Sequence, residues 1–475
     1  MAEHGASPTG GPAEPAGIDW AQAEAWDRAY YLHAVQAGSE LAYVPVERVD
    51  GSYLVLADGT RLLDFQSQLI SDSLGHRHPR VHAEIARAME RYGHVFFGLA
   101  TDYRARAAKL LLEDVLGAPR SWAGRVRILA SGTEAVEQAL LMARLSTGRP
   151  IVLTQAHSYH GFTVGTTMLR GYRGNLTPGG AFDRVVDVPG FPAANVVTIP
   201  APEFHDHDGP RPLPSLAATE EIIRAVGPEN IAAVITETML GASGLLPPDD
   251  YLPGLVEIAR RHGILWIADE VLTGFGRLGE WFGYQCYPGL EPDLLVLGKG
   301  LNGCALPCGA VVASRAIAEP IEQARWWSGS THDAHPLVCA SIVGAIETLL
   351  EEDVLGRVRH LGSHLEAGLR ALADRHPSVR RVSGKGLYHA VDLARPDGSP
   401  IVPEDRGTAF LGDLASQPNN VVARECAARG VFLGGFVPNT IKVAPPFTVD
   451  EAEIDLGLAA FDEALSVVDD LAARA

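Results

Sequence analysis

The sequence is poor in lysine and cysteine and has no long apolar run. Only four of its 475 residues are lysines (Lys109, Lys299, Lys385 and Lys442), so any chemistry that needs a primary amine has four candidates. The five cysteines are an odd and sparse set, which argues against a disulfide framework and indicates a reducing cytoplasm. No apolar run approaches the ~20 residues needed to span a bilayer, so we expect no membrane partner.

Positive charge is scarce as well. The 39 Lys and Arg residues face 58 Asp and Glu residues, which gives a formal net charge of −19. A chain this acidic lacks the cationic surface that binds phosphate backbones, so we expect no nucleic-acid partner. Residues 1–17 are rich in Ala, Pro and Gly but have neither the basic start nor the apolar stretch of a signal peptide, and we interpret them as a disordered leader.

The middle of the chain alternates short apolar runs with segments of helical periodicity. Short runs bounded by Gly, Asp or Ser are typical of strands buried on both faces. Their alternation with helices predicts an α/β fold with a large, mostly parallel central sheet. The predicted strands are Val126–Ala130, Ile151–Thr154, Ala233–Thr236, Ile264–Ala268, Leu294–Leu297 and Ala310–Ala313, and the predicted helices are Glu134–Thr147, Ala217–Val226 and Tyr251–His262.

The flanking segments have a different pattern. Apolar residues from Arg80 to Leu112 recur at helical spacing, and beyond about Pro336 two helical patterns precede short strands and a closing helix. We therefore predict a large α/β domain over residues 74–335 and a smaller α+β domain formed by residues 18–73 and 336–475. Its C-terminal elements are expected at Leu337–Glu352, Val354–Arg375, Val382–Leu393, Val431–Val443 and Asp450–Ala473.

Lys299 is the lysine with the clearest candidate role. It follows the predicted strand Leu294–Leu297 and stands between Gly298 and Gly300. Ligands of open α/β sheets bind outside the carboxyl ends of the strands. Partial desolvation there lowers the pKa of an amine toward nucleophilic use. The pattern favours a catalytic lysine, and the alternative is a surface lysine in a turn.

A carboxylate follows another predicted strand. Asp269 comes directly after the run Ile264–Ala268. A carboxylate in such a place has to be paired with, or hydrogen-bonded to, a cationic group. A protonated pyridine nitrogen would be one such partner. The alternative is an Asp that caps a turn or pairs with Arg277.

Two further segments lie next to predicted strands. Ala130–Glu134 begins a predicted helix, where free backbone N–H groups, hydroxyls and the helix dipole can together bind an anion. Ser or Thr ahead of Glu is also a common helix start. Tyr159 comes just after the strand Ile151–Thr154 and either stacks on a planar ligand or serves as a core aromatic residue.

Two histidine-rich segments contain metal-ligating residue types. His205–Asp208 lies in a Pro-rich stretch that we interpret as a surface loop, and His332–His335 stands alone. Neither has a second cluster at suitable spacing, so we expect no metal site.

One glycine pattern points to a different class of enzyme. Gly298, Gly300 and Gly303 spell G-x-G-x-x-G after a strand, as in nicotinamide-binding units. Such a unit needs a helix next, whereas this chain returns as another short strand. The pattern therefore argues only weakly for a dehydrogenase.

Together, these motifs resemble the class III aminotransferases, which are pyridoxal 5′-phosphate (PLP) enzymes of fold type I. The resemblance runs from about Leu74 to Pro446, most of the chain. Its motifs occur in the family's order: Leu74–Pro79, Ser131–Ala135, Tyr159–Gly161, Asp269–Arg277, Gly298–Gly300, Gly329–Thr331 and Ala444–Pro446. The resemblance implies PLP as the cofactor, an amine donor and a 2-oxo acid as substrates, and a homodimer with shared active sites.

The resemblance also implies a role for each matching residue. Lys299 would hold PLP covalently and then move a proton between cofactor and substrate carbons, while Asp269 would keep the pyridine nitrogen protonated. Residues 132 and 133 would hold the phosphate together with residue 331 of the neighbouring subunit, and Tyr159 and Val271 would cover the two ring faces. Glu237 matches a family glutamate near the cofactor. The residues expected at the cofactor are Ser131, Gly132, Thr133, Tyr159, His160, Glu237, Asp269, Val271, Lys299 and Thr331.

The sequence departs from the common family pattern at three places. Leu272 stands where many members have a glutamine, Ala242 where ornithine- and GABA-type members have a gating glutamate, and Lys442 where an arginine grips α-carboxylates. The last two weigh against glutamate and 2-oxoglutarate as the substrate couple. With Gly434 and Gly435, the pattern is more similar to the ω-aminotransferase branch, such as taurine–pyruvate or β-alanine–pyruvate enzymes. Lys442 is a candidate substrate ligand.

We therefore predict a cytoplasmic, homodimeric, PLP-dependent aminotransferase. It would move an amino group from a primary amine or ω-amino donor to a 2-oxo acid, with pyruvate as the expected acceptor, by a ping-pong mechanism. The alternatives are a PLP-dependent aminomutase, racemase or decarboxylase on the same fold, a nicotinamide-dependent dehydrogenase, and a PLP fold without catalytic activity.

Overall fold

The computed structural model describes residues 18–33, 43–169, 195–201, 211–324, 326, 328–402, 417–434 and 437–474. The predicted leader, the His205–Asp208 segment and Gly435 lie outside these ranges. Within them, no helix is both long and apolar enough to cross a membrane.

Three sheets organise the described chain. Their strands, in chain order, are β1 (Val46–Asp50), β2 (Tyr53–Leu56), β3 (Arg61–Asp64), β4 (Ala123–Leu129), β5 (Ile151–Gln155), β6 (Val196–Ile199), β7 (Ile231–Glu237), β8 (Leu265–Asp269), β9 (Leu294–Leu297), β10 (Gly309–Ser314), β11 (Val379–Lys385), β12 (Tyr388–Leu393), β13 (Val431–Phe432) and β14 (Thr440–Val443).

The largest sheet has seven strands in the order β4-β10-β9-β8-β7-β5-β6. The strands from β9 to β6 pair in parallel, and β10 runs antiparallel to both β4 and β9. Every residue of β7, β9 and β10 is buried, as expected for strands with both faces covered. The predicted α/β fold with a large, mostly parallel sheet is confirmed. The edge strand β6, with a single buried residue, was not predicted.

The helices predicted from Glu134 onward are present, whereas the helices Trp20–Tyr30 and Pro418–Ala427 were not predicted. The helix after β4 begins at Gly132, where the Ser131 hydroxyl accepts a hydrogen bond from the N–H of Glu134, and it ends before Gly148, which has a φ of +68°. The helices lie at Trp20–Tyr30, Pro79–Arg91, Asp102–Lys109, Gly132–Thr147, Val164–Met168, Pro214–Val226, Tyr251–Arg261, Arg315–Gln323, Pro336–Glu351, Val354–Arg375, Pro418–Ala427 and Glu451–Arg474. Shorter helical turns lie at Ser67–Ile70, Leu110–Val115, Pro228–Asn230, Gly283–Cys286 and Lys299–Asn302.

The helical periodicity predicted from Arg80 to Leu112 corresponds to more than one helix. The helix Pro79–Arg91 is followed by an irregular segment at residues 92–101, and a new helix begins at Asp102. Gly93 disfavours continuation of the first helix. The Thr101 side chain caps the second one by accepting a hydrogen bond from the N–H of Arg104 at 3.3 Å.

The two ends of the described chain meet in a second sheet, with strand order β1-β2-β3-β13. Here β13 pairs in parallel with β3, so that Val431 lies opposite Leu63 and Phe432 opposite Asp64. The third sheet, β11-β12-β14, is antiparallel and brings Lys442 of β14 opposite Ala390. Segments before and after the large sheet thus pack together, while the domain boundaries near residues 73 and 335 stay predictions.

Candidate active site

Three chemically active side chains lie at, or just after, the carboxyl ends of adjacent strands. Glu237 and Asp269 are the last residues of β7 and β8 and lie opposite each other in the parallel pair. Asp269 also lies opposite Val296 of β9, and Lys299 comes two residues after β9 ends. The carboxyl edge of the sheet therefore gathers the amine and the two carboxylates at one place, where ligands of such sheets bind.

Lys299 is held in an uncommon backbone conformation. Its φ is +40°, in the left-handed region that non-glycine residues seldom adopt, and such conformations concentrate at functional sites. Removal of the amine from solvent lowers its pKa, an effect that the carboxylates of Glu237 and Asp269 oppose. The structure therefore agrees with a reactive lysine beside two acids, and a fully exposed lysine in a turn is excluded.

Asp269 is fixed by a histidine and by the backbone. Its Oδ2 lies 2.6 Å from Nδ1 of His160, and its Oδ1 accepts a hydrogen bond from the N–H of Val271 at 3.1 Å. Both Asp269 and His160 are buried. The predicted alternative, a pair with Arg277, is wrong, because the Arg277 guanidinium donates to the carbonyl oxygens of Leu387 and Pro445 instead.

Glu237 is a buried carboxylate with two backbone donors. Its Oε1 accepts a hydrogen bond from the N–H of Tyr159 and its Oε2 from the N–H of Gly241, each at 2.9 Å. Burial raises the pKa of Glu237 to about 7, helped by the negative charge of Asp269 and opposed by His160. Glu237 thus holds the Tyr159 backbone beside the site.

The start of the helix after β4 forms a cup of backbone donors. The N–H groups of Glu134 and Ala135 are bonded to Ser131, whereas those of Gly132 and Thr133 bond to no acceptor among the described residues. A Cβ on Gly132 would lie 3.2 Å from Cγ2 of Val271. The cup is therefore narrow, and its free N–H groups suit an anion.

Of the remaining residues expected at the cofactor, Val271 contacts the cup, whereas Tyr159 and Thr331 are exposed to solvent. Val271 lies at the edge of the cup, against Gly132 and Gly298. The Tyr159 ring is partly exposed. Thr331 is exposed, and no described contact joins it to the cup of its own chain.

Lys442 lies beside this group rather than at the surface. Its Nζ donates a hydrogen bond to the carbonyl oxygen of Gly241 at 2.7 Å. Burial and the positive charge of Lys299 lower its pKa to about 8, while Glu237 opposes that shift. Leu272 packs near Gly241, since a Cβ at 241 would lie 2.7 Å from Cδ1 of Leu272.

Sequence reasoning missed three supporting residues. Gln155 ends β5 and accepts a hydrogen bond from the N–H of Glu237 at 3.3 Å. Glu270 is fully buried and accepts four hydrogen bonds, from the hydroxyls of residues 238 and 273 and the N–H groups of residues 283 and 284. Gly241 connects Glu237 to Lys442. The position of Gln155 at the end of a strand could have indicated its role from the sequence. The roles of Glu270 and Gly241 depend on contacts between segments distant in sequence.

Comparison with known proteins identifies the family. The model of the aminotransferase class-III family matches residues 34–465. The chain belongs to the class III aminotransferases. Putrescine–pyruvate aminotransferase of Pseudomonas aeruginosa is 31% identical to it over 426 residues, which cover 86% of this chain and 88% of the relative.

Solved structures of transaminases share the fold. An S-selective transaminase from Arthrobacter sp. with alanine bound has a TM-score of 0.89 and 37% identity, with 96% of this chain and 99% of that chain covered. The taurine:2-oxoglutarate aminotransferase of Bifidobacterium kashiwanohense, in complex with PLP and glutamate, has a TM-score of 0.86 and 25% identity, with coverage of 96% and 99%.

The family membership decides the class of reaction. This class III aminotransferase is a PLP-dependent transaminase of fold type I, and its substrates are an amine donor and a keto acid. The predicted family, fold and reaction class are confirmed. The alternative of a nicotinamide-dependent dehydrogenase is wrong.

Proposed function

We propose that this enzyme is an ω-transaminase with its cofactor at the carboxyl ends of β7, β8 and β9. Its donor would be a primary amine whose reacting carbon carries no carboxylate, and its acceptor would be pyruvate. The observation that carries the proposal is the juxtaposition of Lys299, Asp269 and Glu237 on adjacent strand ends.

The residues present fit a pyridine cofactor that carries a phosphate. The free N–H groups of Gly132 and Thr133 suit the phosphate, and the buried carboxylate of Asp269 suits a protonated ring nitrogen. Val271 offers an apolar wall beside the cup, where glycine at 132 leaves no Cβ. The Lys299 amine, with its lowered pKa, suits covalent attachment.

When bound, PLP supplies a ring that accepts electrons from the reacting carbon. The chain's own residues then have separate tasks. Lys299 moves a proton at Nζ, and the burial that lowers its pKa favours this role. Asp269 would hold the ring nitrogen in a fixed orientation, because His160 and the N–H of Val271 fix both carboxylate oxygens. Glu237 holds the backbone of Tyr159, whose ring would cover the cofactor face opposite Val271.

We also propose a homodimer with shared sites, because Thr331 is exposed and makes no described contact with its own cup. The partner's Thr331 would complete the phosphate site. Mixing Lys299→Ala and Thr331→Ala chains should rebuild one complete site per mixed dimer. We expect activity at limiting PLP above that of either variant alone. A mixture no more active than its parts, with mixed dimers present, would rule out the shared site.

The substrate proposal depends on the surroundings of Lys442. A lysine is a point charge on a flexible stem, whereas the arginine of other members grips a carboxylate with two parallel hydrogen bonds. Ala242 lacks the gating carboxylate of glutamate-using members. The putrescine–pyruvate relative uses a diamine, and alanine, bound in the Arthrobacter neighbour, is the aminated form of pyruvate. These features support an amine donor and pyruvate.

A donor–acceptor panel tests the proposal. Diamines, ω-amino acids and simple amines are each paired with pyruvate and with 2-oxoglutarate, and L-glutamate serves as the reference donor. We expect kcat/KM to be at least about tenfold higher for an ω-amine with pyruvate than for any pair that contains glutamate or 2-oxoglutarate. Alanine formed in equal amount to the oxidised donor distinguishes transamination from decarboxylation or isomerisation. A faster glutamate couple would refute the substrate proposal and leave the transaminase class intact.

A further inference from the structure

Three imidazoles form a cluster outside the proposed cofactor site. The ring centroids are 5.7 Å apart for His94 and His332, 5.8 Å for His94 and His335, and 6.0 Å for His332 and His335. One ring nitrogen of each lies within 4.8 Å of the other two. His332 and His335 lack a third ligand in their own segment, and His94 supplies it from the irregular segment at residues 92–101.

The loop that carries two of these histidines is anchored and bent. The Asp333 carboxylate accepts a hydrogen bond from the Arg127 guanidinium of β4 at 2.5 Å. Ala334 has a φ of +48°, in the left-handed region that a residue with a Cβ seldom adopts. This strained residue reverses the chain between His332 and His335 and brings their rings to one side.

The segment with His94 packs directly on the same loop. A Cβ on Gly329 would lie 2.8 Å from Cζ of Phe97, so the Phe97 ring contacts this loop closely. His335 is oriented by its own helix start, because its Nδ1 accepts a hydrogen bond from the N–H of Leu337 at 3.3 Å. Its Nε2 is thereby left for a ligand, and the ring cannot turn without losing that cap.

Ion pairing does not account for the cluster. Other histidines of the described chain contact carboxylates: His76 with Asp64 and Asp72, His160 with Asp269, His360 with Glu451, His364 with Asp455, and His376 with Asp462 and Asp469. Within the described ranges, no ion pair or hydrogen bond joins His94, His332 or His335 to a carboxylate. Three convergent imidazoles without a counter-charge are a ligand set that suits a divalent transition metal.

We propose that His94, His332 and His335 form a binding site for Zn²⁺, with the fourth position left to water. Tetrahedral zinc with Zn–N bonds of about 2.0–2.1 Å needs nitrogens about 3.3 Å apart. The exposed side chains of His94 and His332 can make that adjustment by small rotations toward the capped His335. The bound ion would tie the irregular segment to the loop of Thr331. Zinc binding itself does not depend on the proposed function; only the significance of a link to the Thr331 loop rests on it.

Zinc analysis of the PLP-loaded, untagged enzyme tests the site. The protein is stripped with a chelator, incubated with micromolar Zn²⁺, freed of unbound ion by gel filtration and analysed for metal. We expect about one zinc per chain for the wild type. His94→Ala and His332→Ala should each lose it. The matched control His360→Ala, which removes an exposed histidine paired with Glu451, should keep it.

Three results would overturn the proposal. One is a wild-type enzyme that retains no zinc, and another is retention by His94→Ala and His332→Ala at the wild-type level. The third is loss of zinc in the double variant His205→Ala/His207→Ala, since another segment would then bind the ion. Thermal midpoints with and without Zn²⁺ provide a second readout: zinc should raise the midpoint of the wild type and of His360→Ala but not of the two cluster variants.

Discussion

The Lys442 ammonium donates a hydrogen bond of 2.7 Å to the carbonyl oxygen of Gly241, whose N–H in turn donates to Glu237. One glycine therefore connects Lys442 to Glu237, the carboxylate that lies opposite Asp269. Lys442 already donates one hydrogen bond to the backbone. It can therefore bind a substrate carboxylate less firmly than an arginine, whose guanidinium donates two parallel hydrogen bonds. This arrangement supports a weakly held monocarboxylate acceptor.

Lys442 should make acceptor binding depend on pH. Its pKa is lowered to about 8, so the amine is charged below that pH and neutral above it. We expect the KM of pyruvate to rise by about tenfold between pH 7 and pH 10, as a charge-assisted hydrogen bond is lost. In Lys442→Arg the charge persists, so the rise should vanish. Initial rates across this range measure it, and the same KM profile in both proteins would show that another group binds the carboxylate.

Asp269→Asn should leave folding largely intact and remove most activity. An amide cannot stabilise a protonated ring nitrogen by charge, and it also weakens the contact with His160. We expect kcat to fall between about tenfold and a hundredfold, as for the loss of one charge-assisted hydrogen bond. Steady-state rates and thermal midpoints of Asp269→Asn are compared with those of the control Asp293→Asn. Asp293 is partly buried and accepts a hydrogen bond from the Trp266 N–H, away from the site. Wild-type rates in Asp269→Asn would make this carboxylate structural.

Gly309→Ala should disturb the phosphate cup through the backbone. A Cβ at 309 would lie 2.1 Å from the carbonyl oxygen of Ser131 and 2.8 Å from the N of Gly132. We expect PLP to bind at least about tenfold more weakly and stability to fall by about 1–3 kcal/mol, the usual cost of overpacking. Gly93→Ala, where an added Cβ meets nothing within 4 Å, is the control. Unchanged PLP affinity in Gly309→Ala would place the phosphate elsewhere.

Strand ends were predictable because buried strands are continuous apolar runs. Strand β9 and the helix Val354–Arg375 have the predicted bounds, and β8 is displaced by one residue. Once a strand is located, the side chain at its carboxyl end is located too, which is why Lys299 and Asp269 could be singled out.

Contacts between distant segments could not be predicted in this way. The partner of Asp269 is His160, 109 residues away, and not Arg277. The approach of His94 to His332 depends on the helix break at residues 92–101, which periodicity alone did not reveal. Both features are set by packing between elements, whereas sequence patterns report each element separately.

Lys299→Ala should keep PLP in the cup and lose turnover. The covalent and proton-transfer roles disappear together, so we expect kcat to fall by about a thousandfold or more. Lys385→Ala, which removes an exposed lysine at the end of β11, should have wild-type activity. Cofactor absorbance and steady-state rates are measured for both variants. Ordinary turnover in Lys299→Ala would refute the assignment of the site.

Chemical trapping of the cofactor on the enzyme tests that assignment most directly. The PLP-loaded protein is reduced with borohydride, digested and mapped by mass spectrometry. Both Lys299 and Lys442 are lysines of lowered pKa at the site, so either amine could in principle carry the cofactor. We predict a reduced phosphopyridoxyl group on Lys299 alone, and none in Lys299→Ala. A label on Lys442, or on either of the two remaining lysines, would contradict the proposed site.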